Sequence, residues 1–181
     1  MAKNYIILLS LFWLTVHFNV TCQNIDSRTS ITQLKVHNIY TAEIGVKELT
    51  GRNDGKRVEE FLLSCHLKKG DPWCAAFVCW CFQQVGIITV ISGYSPAWFS
   101  ARRVIWTRGK GKTPQMADVG GLYFPKMGRI AHTFFIDNWE YGSSFTITVE
   151  GNTNKDGSRE GNGCFKKRRL KTQIYKVSRW L

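Results

Sequence analysis

Asp71-Pro72-Trp73-Cys74-Ala75-Ala76-Phe77-Val78 lies where a polar connection turns into an unbroken apolar run. Asp71 is a favourable N-cap and Pro72 suits the first helical position, so the pattern predicts a helix over 72–85 closed by Gly86. Its apolar residues run all the way round, which marks a buried central helix. Cys74 then falls in the first turn, among unpaired N–H groups and at the positive end of the helix dipole. A thiol held there ionises more readily, and the thiolate is the nucleophile.

Outward from this helix the chain divides into two halves. Before it, Ile39, Ala42, Val46 and Leu49 recur at helical spacing, with Gly51 as a stop. Residues 52–55 form a turn. A short helix is expected over 57–64, with Val58, Phe61 and Leu62 facing inward. After it, Ser95-Pro96 starts another short helix running to Arg103. The period then changes to that of strands, expected over 119–124, 130–138, 143–150, 164–170 and 173–177, with a hairpin turn at Trp139–Gly142. Helices first and antiparallel strands second predict an α+β domain.

A chain of 181 residues favours one domain with a sizeable core, and 44% hydrophobic with 21% charged residues excludes a disordered chain. Lys3 followed by the apolar run Ile6–Val16, too short to span a bilayer, reads as a secretory signal over 1–22. An uncleaved anchor and a lipid on Cys22 are the competing readings. Residues 23–35 read as a loose polar segment and 36–181 as the domain, secreted or held in the cell envelope. The net charge of +12 implies anionic partners such as wall polymers. Export and the lack of any nucleic-acid motif argue against nucleic acid. The run Lys166-Lys167-Arg168-Arg169 reads most simply as a solvated strand face. No CxxC occurs among the six cysteines; Cys79 and Cys81 are expected in the core, and a pairing of Cys65 or Cys164 stays open.

A cysteine nucleophile needs a base, and the base needs an orienting group. Of the four histidines, His132 in Ile130-Ala131-His132-Thr133-Phe134 sits between apolar strand neighbours, a costly position unless it is hydrogen-bonded. If residues 139–143 form a five-residue loop, position 132 faces position 150, and directly opposed residues share a face. Glu150 then lies beside His132, and Asn152, two residues on, stays on that side. A one-residue slip would undo this.

With these residues in place, the chain resembles the CHAP family, cysteine- and histidine-dependent amidohydrolases and peptidases of the NlpC/P60-type, papain-related fold. The resemblance rests on Asp71 to Val78 with Trp80, the histidine strand, Glu150-Gly151-Asn152-Thr153-Asn154, Asp118-Val119-Gly120 and Gly157-Ser158-Arg159-Glu160-Gly161, and covers roughly residues 36–170. It implies that Cys74, His132, Glu150 and Asn152 are catalytic and that peptidoglycan amides are the substrate. The groove is expected to draw on Trp73, Trp98, Tyr123 and Phe134. The sequence Ala131-His132-Thr133-Phe134 departs from the family's usual Gly-His-Val-Gly. No calcium-loop pattern is present, so neither metal nor cofactor is expected, and a monomer is. A non-catalytic wall-binding module, or an enzyme of the same fold acting on other amides, remain the alternatives.

Overall fold

The structure, a computed structural model, describes residues 28–155 and 161–181. The expected leader, Cys22 and residues 157–160 of the family resemblance lie outside them. Three helices lead: α1 (residues 28–42), α2 (Lys56–Leu63) and α3 (Cys74–Gln84). Seven strands follow: β1 (Val104–Thr107), β2 (Lys110–Gly111), β3 (Val119–Phe124), β4 (Arg129–Asn138), β5 (Phe145–Thr153), β6 (Gly163–Leu170) and β7 (Lys176–Ser178). They form one antiparallel sheet in the order β2-β1-β7-β3-β4-β5-β6. The fold is α+β.

Helix α3 is apolar around most of its circumference because all but Trp80, Gln83 and Gln84 of it is buried. Ala75, Ala76, Phe77, Val78, Cys79 and Cys81 are fully buried between α2 and the sheet. Strand alternation divides the sheet's side chains between two clusters. Val119, Phe135 and Val149 join the main core with α3, whereas Leu122, Phe134, Ile136 and Val177 form a smaller second cluster. Tyr40 pins α1 to β4 by stacking on Phe135 at 4.6 Å and donating to Asp137 Oδ1 at 3.0 Å.

Several expectations need correction. Residues 28–35, read as loose, are helical, while α1 ends at residue 42, so Val46 and Leu49 are not on it. The apolar spacing persisted by coincidence past Gly45, whose φ of 98° breaks the helix. Helix α3 begins at Cys74 with Trp73 at the N-cap, not at Pro72. Asp71 accepts from Lys68 N at 2.8 Å, closing the preceding turn instead of capping the helix. The helix expected to reach Arg103 is a 3-10 segment over Ser95–Phe99, followed by a turn that leads into the short hairpin of β1 and β2. The five described cysteines are free thiols, so Cys65 and Cys164 are not paired.

Helix α3 and β5 meet closely at Gly151. A Cβ there would lie 2.6 Å from the Trp73 ring and 2.9 Å from Phe77 Cβ. Gly151→Ala should therefore overpack this contact and cost about 1–3 kcal/mol, read as a lower urea midpoint with unchanged slope.

Candidate active site

Cys74 is the first residue of α3, so its N–H has no partner within the helix. Asp71 is engaged by Lys68 N, and no side chain caps the start of α3. The thiol lines a cleft of about 790 Å³ with Tyr94, Ser95, Arg129 and Asn152. Ser95 Oγ, at the start of the 3-10 segment, lies 3.6 Å from Cys74 Sγ.

His132 comes from β4, directly opposite Leu122 of β3. Its Nε2 lies 2.9 Å from Glu150 Oε2. Nδ1 has no conventional hydrogen-bond partner, which makes it the ring nitrogen left for the sulfur. The thiol and the imidazole each favour the charged form of the other.

The β4–β5 register differs from the one a five-residue loop gives. Phe135 faces Val149 and Ile136 faces Thr148, with a bulge between Ile136 and Asn138. Continued by one step, this puts Phe134 opposite Glu150, and His132 becomes its diagonal neighbour. The shift is two residues, so parity is kept and the side chains still share a face. Diagonal positions are within reach of long side chains.

Glu150 is the most heavily engaged group. Thr148 Oγ1 donates to its Oε1 at 2.5 Å, Arg169 Nη2 to its Oε2 at 2.6 Å, and Arg169 Nε to its Oε1. Arg169 reaches it from β6, opposite Thr146, and its guanidinium also lies over the Phe134 ring. Arg169 is 6% and Glu150 0% exposed, so each charge depends on the other. Sequence reasoning missed Arg169 by reading the basic run as one solvated face. The signal was parity: along β6, Lys166, Arg168 and Leu170 point outward while Arg169 is buried.

The charges set the protonation states. Burial pushes the Cys74 thiol up, but the imidazole, aided by Ser95, outweighs it and brings the pKa to about 7. Burial pushes His132 down, but the thiol and Glu150 raise it to about 9. Burial would raise Glu150, yet Arg169 and His132 hold it well below the usual carboxylate range. Between about pH 7 and 9 the favoured state is thus thiolate, imidazolium and carboxylate in a line.

Asn152 is near this line but not in it. Its φ is 53°, a left-handed conformation that asparagine tolerates. With both ends of the amide satisfied, its oxygen accepts from Trp73 N at 2.9 Å and its nitrogen donates to Gly161 O at 2.9 Å and Asn53 Oδ1 at 3.3 Å. It ties the end of β5 to the start of α3, and so fixes Cys74 without touching the imidazole.

The four aromatic residues expected in the groove are elsewhere. Trp73 is buried, stacked on Phe61 at 5.6 Å, and donates to Glu48 Oε1 at 2.9 Å. Trp98 is buried against Phe82 at 6.0 Å and donates to Ser92 O at 3.0 Å. Phe134 is buried in the second cluster, 5.8 Å from the His132 ring. Tyr123 lines a different pocket. Large aromatics bury more apolar area than any other side chains, and three of these four were drawn inward for that reason.

Among the described residues no group of three or more His, Cys, Asp or Glu side chains could hold a metal ion, and no helix is long and apolar enough to cross a membrane. Compared with protein-family models, curated proteins and solved structures, the chain matches none.

Three outcomes follow from the geometry. Alkylation of Cys74 by iodoacetamide, followed by mass spectrometry of its peptide, should be half-maximal near pH 7 and fall below it as the thiolate is protonated. In His132→Ala the largest influence opposing burial is gone and only Ser95 and a backbone bond remain, so the rate at pH 7 should drop by about tenfold or more. Arg169→Gln leaves a buried carboxylate without its guanidinium. It should cost about 3 kcal/mol or more by urea denaturation and move the alkylation midpoint away from the parent value.

Proposed function

We propose that this chain is a thiol hydrolase of papain-like, NlpC/P60-type fold that cleaves amide bonds in peptidoglycan, as the CHAP resemblance implies. The observation that carries this reading is a cysteine at the first residue of a buried helix, electrostatically coupled to an imidazole on β4 whose far nitrogen is held by a carboxylate on β5. Cys74 opens onto a cleft, His132 stands behind it, and Glu150 holds the far ring nitrogen at 2.9 Å. Structural histidines need no such thiol, and burial raises the pKa of the core thiols Cys81 and Cys164, the opposite of Cys74.

In this mechanism the Cys74 thiolate attacks the carbonyl carbon of a wall-peptide amide. The oxygen takes the negative charge, which the Cys74 N–H at the helix start stabilises; one such donor is typically worth about 3 kcal/mol. Ser95 is placed to donate to the thiolate or the nascent oxyanion. The imidazolium gives its Nδ1 proton to the leaving nitrogen as the C–N bond breaks, forming a thioester. His132, now neutral, takes a proton from water, which attacks the thioester and frees the acid and the thiol. Glu150 keeps Nε2–H engaged throughout, so the free ring nitrogen always faces the sulfur. The basic charge and the apolar leader fit an enzyme working outside the cytoplasmic membrane on an anionic wall.

Purified walls digested with the protein and resolved by mass spectrometry test this directly. Fragments gaining one water at an amide are expected, with new amino termini for a peptidase or free glycan lactyl groups for an amidase. Cys74→Ala should yield none. Equal release by parent and Cys74→Ala would remove the enzyme, and intact walls with other amides cut would remove the substrate. Activity should rise through about pH 7 and decline above about pH 9, where imidazolium is lost.

A further inference from the structure

We propose that a second pocket, lined by Tyr123, Tyr175 and Trp106, binds an anionic sugar unit of a wall glycan. The choice of glycan rests on the proposed function; the chemistry of the pocket stands on its own residues.

The pocket has a volume of about 430 Å³. Trp106 and Ile174 form its apolar floor, Tyr123 and Tyr175 its walls, and Arg108 and Lys171 its rim. The two tyrosine rings pack against each other, 4.9 Å apart and inclined at 42°, and form one continuous aromatic wall. Tyr123 is 37% exposed although it lies on a central strand, an unusual setting for so large a ring. Flat aromatic faces beside hydroxyl groups suit the apolar face and polar edge of a pyranose ring.

The charge is one-sided. Not one residue lining the pocket is acidic. The Arg108 guanidinium lies 4.8 Å from the centre of the Tyr175 ring, and Lys176 Nζ is 5.6 Å from it. Lys171 Nζ lies 4.8 Å from the Trp139 ring and donates to the Glu140 carbonyl. No carboxylate among the described residues pairs with Arg108, Lys171 or Lys176. Cations held in place by rings and carbonyls, with no counter-charge of their own, select a guest that carries one. A carboxylate or phosphate on the sugar fills that role.

Position links this pocket to the cleft. Pro125, at one end of the Pro125–Met127 turn between β3 and β4, lines the second pocket. Met127 and Arg129, at its other end, line the Cys74 cleft. A muramic unit with a free carboxylate, held at Tyr123 and Tyr175, would therefore bring a neighbouring peptide-bearing unit of the same strand alongside the cleft. This gives Tyr123 a part in substrate binding, outside the groove where the sequence placed it.

The test is a heteronuclear NMR titration of the full chain carrying Cys74→Ala, which prevents turnover and leaves the pocket untouched. The probes are N-acetylmuramic acid, neutral N-acetylglucosamine and a short oligothymidylate. Saturable shifts are expected at the Trp106 indole and the Tyr123 and Tyr175 amides with N-acetylmuramic acid. Binding should weaken by about fivefold or more with the neutral sugar and with Arg108→Ala, an exposed change that spares the fold. Shifts confined to the Cys74 cleft, an absence of saturable shifts, or equal binding by Arg108→Ala would overturn the proposal. So would tighter binding of the oligothymidylate, which would make the pocket a nucleic-acid site. Loss of hydrolysis by the unmodified chain does not bear on this titration, so the two readings fail separately.

Discussion

A carboxylate buried with no contact to water governs this molecule. Glu150 would be driven to its neutral form by burial alone. Arg169 on one side and His132 on the other keep it ionised. That single negative charge has consequences in both directions. Toward β6 it fixes a guanidinium that would otherwise be a costly buried cation. Toward β4 it fixes the orientation and charge of an imidazole, which in turn lowers a thiol at the start of α3. Thiolate, imidazolium, carboxylate and guanidinium alternate in sign along one line, and each is tolerable in the interior only because of its neighbours. Removing any one of them is therefore expected to disturb the others more than its own contacts suggest.

The scaffold serves that line. Helix α3 is short and apolar on most sides, so it can sit only where α2 covers one flank and the sheet the other. Gly151 lets β5 approach close enough for Trp73 and Phe77 to pack on bare backbone. One residue on, Asn152 bonds to the N–H of Trp73, so the strand that carries Glu150 also holds the helix that carries Cys74. The distance between nucleophile and orienting carboxylate is thus set by adjacent residues of a single strand. Arg179 adds a distant brace, with bonds of 2.8 and 2.7 Å to Asp118 that tie the end of the chain to the start of β3.

Much of this was legible in the sequence because it depends on local rules. The central helix follows from an apolar run with a clear start and stop, and β3, β4, β5 and β6 from alternation between turns. His132 and Glu150 could be brought together because strand parity survives a register error of two residues, although it would not survive an error of one. What could not be read depends on which way a group turns in three dimensions. Asp71 is as good a turn-closing residue as it is a helix cap, and the chain used it for the turn. Asn152 sits two residues from Glu150, yet a left-handed backbone turns it toward the helix. The bulky aromatics looked equally able to line a groove or fill a core. Arg169 was hidden in a run of four basic residues, in which strand parity sets Lys167 and Arg169 apart from the exposed Lys166 and Arg168, and only Arg169 is buried.

The most direct test of the account is the charge of one imidazole. A proton–carbon NMR titration of His132, in the parent chain and in Cys74→Ala, reads it without reference to any substrate. The account predicts that His132 stays protonated through pH 8, titrates near pH 9, and loses its charge at clearly lower pH once the sulfur is gone. An imidazole already neutral at pH 8 in the parent, or one indifferent to the loss of Cys74, would contradict it.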